Sequence, residues 1–120
     1  MDVLIVDDSP VMRKLLRRGL RQAGFDHLRV IEAHDGAEAI DLLDSKRFDV
    51  VSTGWHMPNV TGIELLRHIE LNELDLTAGV VTAHATRSAR RSAAEAGARF
   101  FIPKPFTPDT LRDGLATVLA

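Results

Sequence analysis

Short apolar runs at residues 3–6, 29–33, 50–53, 79–82 and 100–102 alternate with longer stretches in which apolar residues return every three or four positions. The short runs predict five strands. The longer stretches predict a first helix from Ser9-Pro10 to Gly24 and others near 37–43, 62–71, 88–96 and 108–119. In the first helix Met12, Leu15, Leu16, Gly19, Leu20 and Ala23 mark one side, and Arg13, Lys14, Arg17, Arg18 and Arg21 the other. Ser9 suits the cap and Pro10 the first turn. Strands apolar along their length, joined by helix-sized connections, predict a parallel sheet covered on both faces: an α/β doubly wound domain with right-handed crossovers. Pro103 ends the fifth run and suits an edge strand, because proline donates no hydrogen bond to a ladder.

Composition narrows the function classes. With 120 residues, 45% of them hydrophobic, the chain is long enough for one domain over 1–120 that buries its own core. No cysteine occurs, which excludes disulfides and thiolate metal sites and fits a reducing, cytoplasmic setting. The start, Met1-Asp2 and four apolar residues, carries no cationic leader and is too short for a membrane span, so a soluble protein with no membrane insertion is expected. A net charge of -2 argues against a polyanion-binding domain. The five cations of the first helix keep open an alternative, a nucleic-acid-binding module, although charges opposite an apolar side are the ordinary surface of a helix.

In an open α/β sheet, ligands bind beyond the carboxyl ends of the strands. Asp7, Asp8, Gly54, Thr82 and Lys104 all fall there. Adjacent carboxylates leaving a strand suit a hard cation such as Mg²⁺, although taken alone a charge pair in the first turn of a helix is the commoner reading. Thr82 alone reads as an ordinary strand threonine and Lys104 alone as a solvated lysine. His56 and His84 lie at strand ends and could join Asp8 around a transition metal, though exposed loop histidines are commoner.

The run Phe48-Asp49-Val50-Val51-Ser52-Thr53-Gly54-Trp55-His56-Met57-Pro58, with Asp7-Asp8, Thr82 and Lys104-Pro105-Phe106, resembles the receiver domain of two-component response regulators, and most closely the chemotaxis-type single-domain regulators. The resemblance spans nearly the whole chain and implies a flavodoxin-like strand order 2-1-3-4-5. It further implies that Asp8 binds Mg²⁺ directly, that Asp7 supports the ion through water, and that His56 supplies its backbone carbonyl. Thr82 would hydrogen-bond a phosphoryl oxygen and Lys104 would pair with it, after a cis bond to Pro105 that orients the lysine. Phe101 matches an aromatic that changes rotamer. Implied partners are a sensor histidine kinase or phosphotransfer protein and a downstream protein target on the face of the fourth helix, fifth strand and fifth helix. Arg87, Arg90 and Arg91 stand in that region and could meet an acidic partner, although a solvated helix face is the commoner reason for such arginines.

The departure from the family is Gly54, which stands where the resemblance places the phosphate-accepting aspartate. Glycine has no atom to attack a phosphodonor or to ligate a metal, so covalent chemistry at that position is excluded and Mg²⁺ binding is expected to be weak or absent. Ser52 points the same way but lies about 6–7 Å deeper in an extended strand, and Thr53 points to the other face. A naturally degenerate receiver and an acceptor-site change in a phosphorylatable parent both fit, as do a diffusible single-domain regulator and a receiver cut from a longer chain. An enzyme is not expected: phosphatases that use a first-strand aspartate need a second carboxylate two residues on, and position 9 is serine.

Overall fold

The computed structural model describes residues 1–119. Every apolar run forms a strand: β1 (Asp2–Val6), β2 (Arg29–Ala33), β3 (Val50–Thr53), β4 (Thr77–Thr82) and β5 (Phe101–Pro103). The helices between and after them are α1 (Pro10–Gln22), α2 (Gly36–Ser45), α3 (Gly62–Leu71), α4 (Arg87–Glu95) and α5 (Pro108–Leu115). All strand pairs are parallel, in the order β2-β1-β3-β4-β5. β5 is an edge, and its Pro103 lies opposite Thr82, as the proline suggested.

The two-residue period of the strands divides the core. Val3, Ile5, Val50, Val81 and Ile102 pack against Leu16, Leu20, Leu111 and Leu115 of α1 and α5. Leu4, Val6, Val51 and Val80 face the other way, against Ala39, Leu43, Leu65, Leu66, Ile69 and Ala93 of α2, α3 and α4. Leu65 and Leu111 are fully buried, each contributing about 1.5–3 kcal/mol through loss of apolar surface to water.

Helix ends follow local chemistry. Ser9 Oγ accepts the Met12 N–H at 3.1 Å to open α1. Gly24, at φ 98°, reverses the chain after it, a left-handed conformation that costs glycine nothing. Thr86 Oγ1 accepts the Ala89 N–H at 3.0 Å, so α4 begins at Arg87, one residue before the predicted start. Two boundaries differ more. β4 begins at Thr77, two residues before the predicted run, because Thr77 and Ala78 pair with Val50 and Val51. α5 stops at Leu115 rather than 119, where Gly114, Thr117 and Val118 are poor helix formers; the chain continues in turns, with Val118 and Leu119 N–H groups donating to the Leu115 carbonyl.

Candidate functional site

The carboxyl end of β1 runs directly into the cap of α1, and this fixes Asp7. Its backbone N–H donates to the Ala33 carbonyl, continuing the ladder one step past the strand. Its carboxylate is buried: Oδ1 accepts the Ser9 N–H at 2.9 Å, and Oδ2 accepts Lys104 Nζ at 3.0 Å. Asp8 is exposed. The sequence thus placed two adjacent carboxylates at one strand end, and the structure separates them into a paired, buried one and a solvated one.

Gly54 follows β3 and is buried, with its N–H donating to the Val6 carbonyl at 2.9 Å. A Cβ added there would stand 3.4 Å from Asp7 Oδ2 and 3.7 Å from Met57 Cγ, ordinary contacts. Position 54 therefore has room for a side chain, and that side chain would enter the pocket beside Asp7. The carbonyl of Gly54 accepts Thr53 Oγ1 at 3.0 Å and packs so tightly on Gly62 that a Cβ on Gly62 would collide with it. Thr53 faces the α3 side, touching Met57 Sδ at 3.8 Å. Ser52 faces α1 and α5, lining a small cavity with Val50, Val81 and Leu111.

Thr82 ends β4, buried, and its Oγ1 accepts the His84 N–H at 3.0 Å. The Lys104 N–H donates to the Thr82 carbonyl at 2.8 Å, and the Lys104–Pro105 bond is cis, as the resemblance implied. The Lys104 side chain, 18% exposed, extends back to Asp7. Phe101 is half-buried at the start of β5, its ring 6.3 Å from that of Trp55 in an edge contact and 4.7 Å from Arg90 Cζ. His56 is exposed; its ring lies 5.5 Å from that of His84, which in turn lies 5.6 Å from Trp55.

Asp7, Gly54, Thr82 and Lys104 thus converge at the strand ends, while Phe101 belongs to an aromatic chain alongside. That chain was not legible beforehand, since it depends on where the loops after β3 and β4 aim their rings. Nor was the role of Arg13, which donates to the Asp7 carbonyl at 2.7 Å and to Glu32 at 2.9 Å. Arg17 also binds Glu32, at 3.1 Å. Two of the five cations on α1 are consequently committed within the fold.

A parallel five-stranded doubly wound domain with a carboxylate–lysine pair across its strand ends is the layout of a phosphorelay receiver. A model of the response regulator receiver domain matches residues 3–116. The chain is 39% identical over 120 residues to the chemotaxis protein CheY of Pseudomonas aeruginosa, covering 98% of this chain and 95% of that one. To chemotaxis protein CheY-3 of Vibrio cholerae it is 41% identical over 117 residues, covering 96% and 88%. Among solved structures, the chemotaxis response regulator CheY4 of Vibrio cholerae superposes with a TM-score of 0.84 at 30% identity, covering 98% and 97%. The chain belongs to the response regulator receiver domain family. Receiver domains are signalling domains, and they generally bind Mg²⁺ at the acidic pocket. Among the described residues no group of three His, Cys, Asp or Glu able to hold a metal ion forms, and no helix is long and apolar enough to cross a membrane.

Proposed function

We propose that residues 1–120 form one receiver of a two-component phosphorelay, cytoplasmic and of the chemotaxis type, that acts by binding partners and carries no phosphoryl group at position 54. The carrying observation is the pocket around Gly54: a Cβ fits there, 3.4 Å from Asp7 Oδ2, yet the residue brings no carboxyl. Thr82 and Lys104 retain the places of the phosphoryl contacts, and Asp7, Asp8 and the His56 carbonyl those of the cation ligands. The donors present do not fit a tightly held Mg²⁺. Gly54 adds none, and Asp7 already satisfies Oδ1 with Ser9 and Oδ2 with the ammonium of Lys104. The cation is accordingly weakly held or absent in this chain.

The output surface in this reading is the face of α4, β5 and α5. Arg87, Arg90 and Arg91 are exposed there and suit an acidic downstream protein, with Phe101 the aromatic that reports the state of the pocket. A sensor histidine kinase or phosphotransfer protein is the upstream partner of a phosphorylatable version. The nucleic-acid alternative loses support from Glu32, which engages two of the five α1 cations.

Mass spectrometry after incubation with acetyl phosphate and Mg²⁺ tests the reading. The chain is expected to stay unmodified and Gly54→Asp to gain one acid-labile phosphoryl group. An adduct on the parent chain would overturn the proposal, and an unlabelled Gly54→Asp protein would show that the pocket is not a phosphoryl site.

A further inference from the structure

The two loops that flank Gly54 bring His56 and His84 together at the surface. Their ring centroids are 5.5 Å apart, and both side chains are exposed. Neither loop is free. His84 is held by its N–H bond to Thr82 Oγ1 at 3.0 Å, and His56 sits between half-buried Trp55 and buried Met57. The backbone at His84 is thus anchored, and the two exposed rings lie beside each other with their planes 61° apart.

Zn²⁺ takes imidazole nitrogens at about 2.0–2.1 Å, and such a nitrogen lies about 1.1 Å from its own ring centroid, so two histidines sharing one ion at a tetrahedral angle have centroids roughly 5.2 Å apart. The observed separation of 5.5 Å is close to that value, so exposed rings that turn a nitrogen toward each other are spaced to share one ion. Imidazole also selects among cations: Zn²⁺, Ni²⁺ and Cu²⁺ accept nitrogen readily, whereas Mg²⁺ prefers oxygen.

We propose that His56 and His84 form a two-histidine clip for a divalent transition-metal ion, held by their imidazoles, whereas the acidic pocket around Asp7 would draw only on the His56 backbone carbonyl. No third His, Cys, Asp or Glu completes the site among the described residues. The remaining coordination positions therefore belong to water or to a donor brought by a bound molecule, and the ion is exchangeable. Trp55, the chain's single tryptophan, has its ring 5.6 Å from that of His84 and reports a bound quenching ion directly.

The test titrates tag-free protein with Ni²⁺, read by Trp55 emission, and with Zn²⁺, read by calorimetry. One ion per chain is expected, with Mg²⁺ unable to displace it. His56→Ala and His84→Ala should each weaken binding roughly tenfold or more, because the second donor of a chelate binds at high effective concentration. His34→Ala, which alters a histidine bound to Asp35 and Glu38 instead, should leave the titration unchanged. Unaltered affinity in the His56→Ala/His84→Ala double variant, or no saturable signal in the parent, would overturn the clip. Both positions are exposed, and far-UV circular dichroism verifies that the variants fold.

Discussion

Lys104 Nζ lies 3.0 Å from Asp7 Oδ2, an ion pair that joins the end of β5 to the end of β1 across 97 positions of sequence. Both side chains are largely buried, at 18% and 9% exposure. A carboxylate in such a place needs a positive partner, and here the protein supplies its own. Removing one member of a desolvated pair leaves the other without compensation.

Lys104→Met keeps most of the apolar stem and deletes the ammonium, so Asp7 retains only the Ser9 N–H as a protein donor. Stability should fall by about 1–3 kcal/mol, the range for stranding a buried polar group. With the competing cation gone, Mg²⁺ should raise the melting temperature of Lys104→Met more than that of the parent. Equal responses would show that the lysine does not restrain cation binding.

Gly54 lies outside the left-handed backbone region, and a Cβ there meets nothing closer than 3.4 Å. Glycine is not demanded by the fold at this position. Gly54→Ala should therefore stabilise the protein by about 0.5–1 kcal/mol, mainly by restricting the unfolded chain. Urea unfolding measures it, and a loss of stability would mean that the loop into Trp55 needs the smaller residue.

Gly54→Asp shares that backbone gain but sets a second carboxylate beside Asp7. Two like charges about 4 Å apart repel by roughly 4 kcal/mol at an effective dielectric of 20, an upper figure because Lys104 and water offset part of it. Without Mg²⁺ the aspartate variant should melt below the alanine variant, and Mg²⁺ should narrow the gap. If the two melt together in chelator, Lys104 neutralises both carboxylates.

The parts of this pocket legible in the sequence are those that end an apolar run. Asp7, Gly54 and Thr82 follow or close a strand, and the strand carries its last residue to the sheet edge whatever else the chain does. Lys104 follows Pro103 in the same way. Periodicity says nothing of contacts between loops, so the bond from Arg13 to the Asp7 carbonyl and the contacts among Trp55, His84, Phe101 and Arg90 emerged only with side-chain directions. The start of β4 was missed because Thr77 and Ala78 precede the apolar run that begins at Gly79, and only their pairing with Val50 and Val51 makes them strand. In the fold Gly79 is the residue that admits the Phe100 ring, where a Cβ would collide.

Arg90 on α4 places its guanidinium over Phe101, 4.7 Å from the ring centroid, while Trp55 meets the same ring from the pocket side. The exposed cation–π contact should contribute about 0.5–1 kcal/mol, and Arg90→Ala should cost that much. Trp55 makes it visible: if Arg90 holds the phenyl ring in place, the variant's tryptophan emission shifts even though no residue touching the indole has changed. Unchanged emission would show that Trp55 and the strand alone fix Phe101.

His68 on α3 buries Nε2 without a hydrogen-bond partner among the described residues, while its Nδ1 lies 3.4 Å from Asn72 Nδ2. Burying an unpaired ring nitrogen is unfavourable. The end of α3 does not depend on the imidazole, because Asn72 N–H and Nδ2 both donate to the His68 backbone carbonyl, at 3.1 and 2.8 Å. His68→Leu keeps those bonds, removes the unpaired nitrogen and inserts a better helix former, so it should raise stability by about 0.5–1 kcal/mol. Urea unfolding at neutral pH measures the change. A destabilised His68→Leu protein would mean that the nitrogen is hydrogen-bonded in solution, and solvent exchange at the ring would then identify water as the partner.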